Sequence, residues 1–502
     1  MASSVFSDFD RYDGANADRD RGGLSAIGLE QTSGKIHGER PAKPRRGDTG
    51  GTGTSKYNYN FTPKFQHSVK NNPMCGICFP QWISILTRRR NQIEWTVYWP
   101  RIFFISFMSV LNSAMGLLDH LIYGRKVEAA VIHPRPVFIL GHPRTGTTLV
   151  HSLLALDSEQ FCYCSTFCAG FPSCFLWFES IGKVLFRGVI DDMRPMDNVR
   201  LDFDLPQEDE LATNVMSAGI SPYMPLFFMK QEPEFRPFYA FDDASETDAA
   251  SSSSDERLED SAMAEVRKAW IDSFLYLLRK LTVRDELQRP LKKSNNNDAT
   301  NKRGSDSSAH RSGGRRLILK SPVHTARIAL LNQLFPEAQY IYIHRNPYDV
   351  FRSAAHMADT TYWYTYMNTP SNDQITEFIL RQYEILYDRY EQGRTQLLLG
   401  EASPAAPSHG GEATGLSPKP QRLVEISYDE LSQRPIETAQ RIYRELGWDL
   451  TPGYRQRLEE ELAGHEFKSY KRNSHKVLDP SLKEIINERW GPSFERFGYI
   501  KE

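Results

Sequence analysis

Three short apolar runs set the frame of this chain, each closed by a polar turn and followed by a helix-like stretch. Arg135-Pro-Val-Phe-Ile-Leu-Gly141 reads as a strand apolar on both faces, as in a parallel sheet. Arg316-Leu-Ile-Leu-Lys320 is a second run, and Ala338-Gln-Tyr-Ile-Tyr-Ile-His344 a third with strong β-propensity. Leu149–Leu156 and Thr325–Leu331 have the apolar content of helices. After the third run Asn346 is placed to cap and Pro347 to start a helix carrying Val350, Phe351, Ser353 and Met357. Strands alternating with helices predict an α/β fold, a three-layer sandwich with a central parallel sheet.

Polar tracts interrupt this pattern. Residues 1–73 are rich in Gly, Ser, Asp, Arg and Asn without a sustained apolar period, which predicts a disordered tail. Residues near 242–262, 291–315 and 401–421 have similar composition and lie between core-like segments. They predict loop insertions, which cost little because closure entropy grows only logarithmically with length. Residues 134–500, less these loops, are enough for one large α/β domain.

Residues 74–133 differ, being dense in Trp, Phe, Ile, Leu and Met. Ile102–Leu118 carries no charge over 17 residues, at the lower limit for a membrane span. Arg88–Arg90 and Arg101 lie on one side of it. A helix buried against the main domain, a helix leaning on a membrane surface and a true span all fit.

Composition narrows the class. With 61 Lys+Arg against 63 Asp+Glu, the formal charge of -2 gives no case for nucleic-acid binding. A mean hydropathy of -0.51 excludes a polytopic membrane protein. Six cysteines in 502 residues are too sparse for a disulfide-stapled module. Cys75-Gly-Ile-Cys78 and the group Cys162, Cys164, Cys168 and Cys174 match no standard zinc spacing, so buried free thiols are expected and no metal site. The start of the chain lacks an apolar signal region, which predicts an intracellular protein with no secretory signal peptide.

The candidate chemistry sits at the strand ends. Gly141-His-Pro-Arg-Thr-Gly-Thr-Thr148 has the P-loop frame G-x-x-x-x-G-K-[ST] with Thr147 in the lysine position. Loop amides and the helix start would face an anion, with Arg144 as the cation and Thr145, Thr147 and Thr148 as hydroxyl donors around Gly146. The missing lysine disfavours an ordinary kinase or NTPase, one rival reading; a non-catalytic scaffold is the other. Lys320 and His324 end the second run, where ligands of open α/β sheets bind. Arg345, with Ser353 two helical turns on, can grip a second phosphate.

Together these segments resemble the sulfotransferase superfamily that uses 3′-phosphoadenylyl sulfate (PAPS). Its phosphosulfate loop, strand–G-x-P-R-[ST]-G-T-T–helix, is matched by Gly141–Thr148. Its 3′-phosphate element, strand–R-[DN]-P-x-x-[VA]…S, is matched by Arg345, Asn346, Pro347, Val350 and Ser353. Pro206-Gln-Glu-Asp-Glu210 and Lys320-Ser-Pro-Val-His324 are similar to motifs of a branch found in bacteria and microbial eukaryotes. Leu423–Leu431 resembles the late strand and acidic turn of that branch, and Lys471 and Arg472 a basic loop over the 3′-phosphate. The resemblance spans Pro134 to Tyr499. It implies transfer of a sulfuryl group from PAPS, as co-substrate, to a hydroxyl or amine, without a metal. Lys320 and Arg144 would stabilise charge.

Some relatives carry a catalytic Glu about twenty residues after the phosphosulfate loop, but Phe161–Gly170 has no carboxylate here. The base must come from elsewhere. Glu208, Asp209, Glu210 and His324 are the candidates, Glu208 first and Glu210 second, with His324 a rival. Phe161–Phe186 and Ile220–Met229 fit either an apolar acceptor cleft or core. A small or lipid-like acceptor, a lipophilic alcohol before a protein or sugar, is expected, with a membrane surface, at the cytosolic face or the Golgi, as a further partner and no nucleic acid.

Overall fold

The computed structural model describes residues 56–66, 68–191, 193–194, 200–241, 254–289, 314–402, 421–464 and 476–502. Five strands form one sheet: β1 Val137–Leu140, β2 Phe161–Tyr163, β3 Arg316–Lys320, β4 Gln339–His344 and β5 Leu423–Ser427. Their order is β2-β3-β1-β4-β5 and every pairing is parallel. The three expected strands are present and the late strand matches β5. β2 was not foreseen, because three residues give no readable alternation.

Side chains alternate across this sheet with the period of two that a strand imposes. Val137, Ile139, Ile318, Ile341 and Ile343 face one core, with Val150 and Leu154 of α3 (Thr147–Ala155) and Ile442 and Leu446 of a late helix, Pro435–Leu446. Phe138, Leu140, Leu317, Leu319, Tyr340 and Tyr342 face the other, with Trp270, Phe274 and Leu278 of a long helix, Ser254–Gln288. Helices cover both faces, which makes the sandwich three layers.

Two helices precede the sheet, α1 (Phe79–Arg89) and α2 (Trp95–Ala129). One stripe of α2 is buried: Ile102, Ile105, Met108, Asn112, Met115 and Asp119 recur at three- to four-residue spacing. Several of its polar side chains bond inside the fold. Asn112 Nδ2 donates to Cys75 O at 2.7 Å. Trp82 Nε1 of α1 donates to Ser106 Oγ at 2.8 Å, and Ser113 Oγ accepts from Phe79 N at 2.7 Å. Asp119 pairs with Lys280 of the Ser254–Gln288 helix at 2.8 Å, both fully buried. Lys280 also donates to Pro172 O and Ser173 O, and Asp119 accepts from Leu176 N, so neither charge is left bare. The opposite stripe of α2 is apolar and exposed.

The fold begins earlier than the polar tract suggests. Tyr57, Tyr59 and Phe61, inside the expected tail, are buried in a core with Phe351, Ile375 and Leu482. Three aromatics spaced two apart among Asn and Lys read as polar sequence, yet they form a strip that packs. The segment 254–262, expected within a loop, lies in the Ser254–Gln288 helix. Residues 1–55, and within the three expected insertions residues 242–253, 291–313 and 403–420, lie outside the described residues.

Candidate active site

The sheet order sets the ends of β3, β1 and β4 side by side, and the three turns that leave them meet at one place. The loop after β1 bends through positive φ at Gly141 (+144°) and Gly146 (+107°). A Cβ at Gly141 would sit 2.6 Å from Ile343 O, and one at Gly146 2.6 Å from the Tyr428 ring. Both positions therefore require glycine. Arg144 also has positive φ, +77°, a conformation costly for a residue with a side chain and common at functional loops.

That backbone joins the two phosphate elements read from the sequence. Arg144 Nε donates to Ser353 Oγ at 3.0 Å. Ser353 lies on the helix after β4, Pro347–Met357, which Asn346 caps by accepting from Tyr348 N. Arg345 Nη1 donates to Arg144 O at 3.2 Å, across 201 positions of sequence. The Arg345 guanidinium covers the Tyr428 ring at 4.3 Å. Thr147 and Thr148 open α3 at the same place. Thr145 differs from expectation: its hydroxyl donates to His142 O at 2.7 Å, so it braces the loop instead of facing an anion. Thr325, not singled out in the sequence, accepts from Gly141 N at 2.8 Å and fixes the loop to the turn after β3.

The acidic run separates into three fates, because a helix start points neighbouring side chains in different directions. Glu208 precedes the helix Asp209–Met216. Its Oε1 accepts from Lys320 Nζ at 2.8 Å, and its Oε2 accepts from the Tyr223 hydroxyl. Lys320 Nζ also lies 3.5 Å from Thr148 Oγ1. The Lys320 side chain is 1% exposed and that of Glu208 21%, so the carboxylate is the member of the pair that meets solvent. Burial alone would raise the Glu208 carboxyl; the Lys320 ammonium and the Tyr223 hydroxyl outweigh it and hold the group below the usual carboxylate range. Burial brings Lys320 below the usual lysine range against the pull of Glu208.

Glu210 and His324, both expected as candidates for the base, are turned into the interior. Glu210 accepts from Arg327 Nη1 at 2.8 Å and Nη2 at 3.2 Å, from Ser221 Oγ at 2.7 Å and from Trp270 Nε1 at 3.3 Å. This carboxylate has its acceptor sites filled and is fully buried. His324 Nε2 lies 2.6 Å from Asp209 Oδ2, both side chains being fully buried. Its ring packs against Phe138 and Phe274. Their geometry makes these residues a brace beneath Glu208. Lys471 and Arg472 lie outside the described residues.

A cavity of about 250 Å³ opens beside this junction. Arg144, Thr147, Thr148 and Glu208 supply its polar wall. Ala169, Phe171, Leu226, Met357 and Phe378 supply an apolar one. The two aromatic segments thus divide between cleft and core. Phe171, Tyr223 and Leu226 line the cavity, while Phe175, Phe178, Phe227 and Phe228 are buried in the cores. Tyr223 and Thr325 carried no motif that sequence reading could use; only tertiary folding brings them to Glu208 and Gly141. The free thiols of Cys75, Cys162, Cys164, Cys168 and Cys174 are buried, and burial pushes that of Cys162 up to about 12.

Comparison with known proteins gives the family. The model of the sulfotransferase family matches residues 136–452. Two curated relatives, the omega-hydroxy-beta-dihydromenaquinone-9 sulfotransferases Stf3 of Mycobacterium bovis and Mycobacterium tuberculosis, are each 27% identical over 430 residues, covering 84% of this chain and 90% of theirs. Sulfotransferase STF1 of Mycobacterium tuberculosis shares the fold with a TM-score of 0.50 at 14% identity, over 82% of this chain and 92% of that one. For STF9 of Mycobacterium avium the values are 0.50 and 15%, over 84% and 97%.

Proposed function

The chain belongs to the sulfotransferase family, and we propose that it transfers the sulfuryl group of PAPS to the hydroxyl of a lipophilic acceptor. One observation carries the donor half of this reading: Arg144 bonds Ser353 while Arg345 bonds the Arg144 carbonyl, so two anion-binding elements share one junction. A donor with two separated phosphate groups fits such a junction. The loop amides, Arg144, Thr147 and Thr148 would hold the phosphosulfate end, and Arg345 and Ser353 the 3′-phosphate.

The acceptor enters from the apolar wall. Glu208, kept ionised by Lys320, takes the proton of the acceptor hydroxyl. The acceptor oxygen forms the new bond to sulfur as the sulfur–oxygen bond to the donor phosphate breaks. The leaving phosphate oxygen keeps the electron pair, and Lys320 and Arg144 stabilise that charge. The carboxylate therefore plays the base that the Phe161–Gly170 stretch lacks. The apolar lining beside Glu208 supports a lipophilic acceptor. So does the omega-hydroxy-beta-dihydromenaquinone-9 for which the two Mycobacterium relatives are named.

Thermal unfolding with adenosine 3′,5′-bisphosphate against ATP tests the donor site. A ligand at ~100 times its Kd stabilises the folded state by about 2.7 kcal/mol. We expect that shift with the bisphosphate and little with ATP; a larger shift with ATP would overturn the reading.

A further inference from the structure

Among the described residues, the outward stripe of α2 has no partner. From Val97 to Leu118 every exposed residue is apolar. Trp99 is 61% exposed, Phe103 69%, Phe107 63% and Leu121, one turn on, 71%. Val97–Leu118 spans about 33 Å of helix at 1.5 Å per residue. Phe79 and Ile83 of the adjoining α1 extend the surface sideways, and so do Ile181, Val184 and Leu185 of the helix Phe175–Leu185. So large a continuous apolar face is unusual on a soluble monomer and marks a docking surface.

Charge identifies what docks there. Exposed Arg88 and Arg90 stand at one end of the stripe, beside Trp95 and Trp99, and exposed Arg125 and Lys126 at the other. Residues 79–129 hold six Lys/Arg against three Asp/Glu. Asp119 pairs with Lys280, Glu94 with Lys230 and Arg89 with Glu234, and Arg101 is buried, which leaves Arg88, Arg90, Arg125 and Lys126 against Glu128 on the surface. An apolar stripe with tryptophans at its edge and cations at its ends suits an anionic bilayer surface. A second copy suits it poorly: a twofold face-to-face pairing sets basic ends against basic ends. Residues 1–55 carry no apolar repeat to cover it. The helix is apolar enough to cross a bilayer, but its buried stripe holds Arg101, Asn112 and Asp119 in bonds to the rest of the fold. It can lie on a membrane without leaving the protein, and it cannot span one.

We infer that this face seats the protein in the plane of an anionic membrane, and that a lipid-borne alcohol passes from the bilayer to the cavity at Glu208. The second clause rests on the proposed function. The route follows the helix Phe175–Leu185, which meets α2 where Trp177 Nε1 donates to Met115 O at 2.9 Å. Just past its exposed Val184 and Leu185, Phe186 stacks on Phe171 of the cavity wall at 4.8 Å.

The test is co-sedimentation of the full chain with phosphatidylcholine vesicles, with and without phosphatidylserine. The wild type and the triple variant Phe103→Ser, Phe107→Ser, Leu121→Ser are compared. These side chains are exposed, so the variant should keep its melting temperature and its shift with the bisphosphate. We expect strong binding to the anionic vesicles, and at least a tenfold loss in the variant, since three large apolar side chains leave the interface. Sulfation of a vesicle-embedded long-chain alcohol should fall in parallel, and sulfation of a short soluble alcohol should not. Absence of vesicle binding, or binding that the variant retains, overturns the docking face. A dimer in sedimentation equilibrium that the variant dissociates assigns the face to a second copy and overturns it too. Vesicle binding by a chain that sulfates neither alcohol leaves docking intact and refutes the proposed function instead.

Discussion

In the proposed reaction Glu208 and Lys320 have opposite tasks and opposite charge requirements. A base must be unprotonated to take the acceptor proton, and a charge-stabilising lysine must be protonated. The depressed Glu208 carboxyl keeps the base ready well into acid, and the lowered Lys320 ammonium is lost earlier on the alkaline side. The pH profile of kcat on a soluble alcohol should therefore hold its acid limb below the usual glutamate range and bring its alkaline limb below the usual lysine range. Glu208→Gln keeps the shape and removes the base, so kcat should fall about 10²- to 10⁴-fold with bisphosphate affinity little changed. Arg345→Ala acts on the other quantity. It removes a charged donor worth about 1.5–3 kcal/mol, so calorimetric titration should show about ten- to a hundredfold weaker bisphosphate binding.

Between elements, the Asp119–Lys280 pair holds α2 to the layer over the sheet. Breaking a fully buried pair leaves one uncompensated charge, so Lys280→Met should cost about 3–5 kcal/mol in denaturant unfolding. Asp119→Leu combined with Lys280→Met should recover much of that loss, because an apolar pair leaves no bare charge. A pair that served only as a surface contact would show less than about 1 kcal/mol in either variant. Elements of this kind differ in how far a sequence reveals them. β1, β3 and β4 were legible because each packs an unbroken apolar run between helices, and the Asn346–Pro347 helix start because a cap is a local device. The loop Gly141–Thr148 was legible because its glycines answer first to a local backbone conformation. The division of Glu208, Asp209 and Glu210 was not, since it depends on Lys320, His324 and Arg327 arriving from more than a hundred residues away. Burial of Arg101 and Asp119 under an apolar stripe was hidden for the same reason.

Across the whole molecule, the segment before α1 closes the fold by joining elements near its far end. The Tyr57 hydroxyl donates to Glu377, which also accepts from Arg489 at 2.8 Å. Asn58 Nδ2 donates to Asp479 Oδ2 at 2.9 Å. Tyr59 lies edge-on to Phe351, in the helix that carries Ser353. The strip Tyr57–Phe61 is thus a clasp over the helix that carries Ser353. Two truncations separate its contribution from everything before it: one chain starting at residue 56, the other at residue 74. Removing a buried aromatic from a core costs about 3–5 kcal/mol, and this strip supplies three. The shorter chain should therefore unfold at least about 3 kcal/mol more easily than the longer one. It should also bind the bisphosphate more weakly, because Ser353 sits on the helix that loses its cover. Equal stability of the two truncations would show that the clasp rests on the fold without holding it.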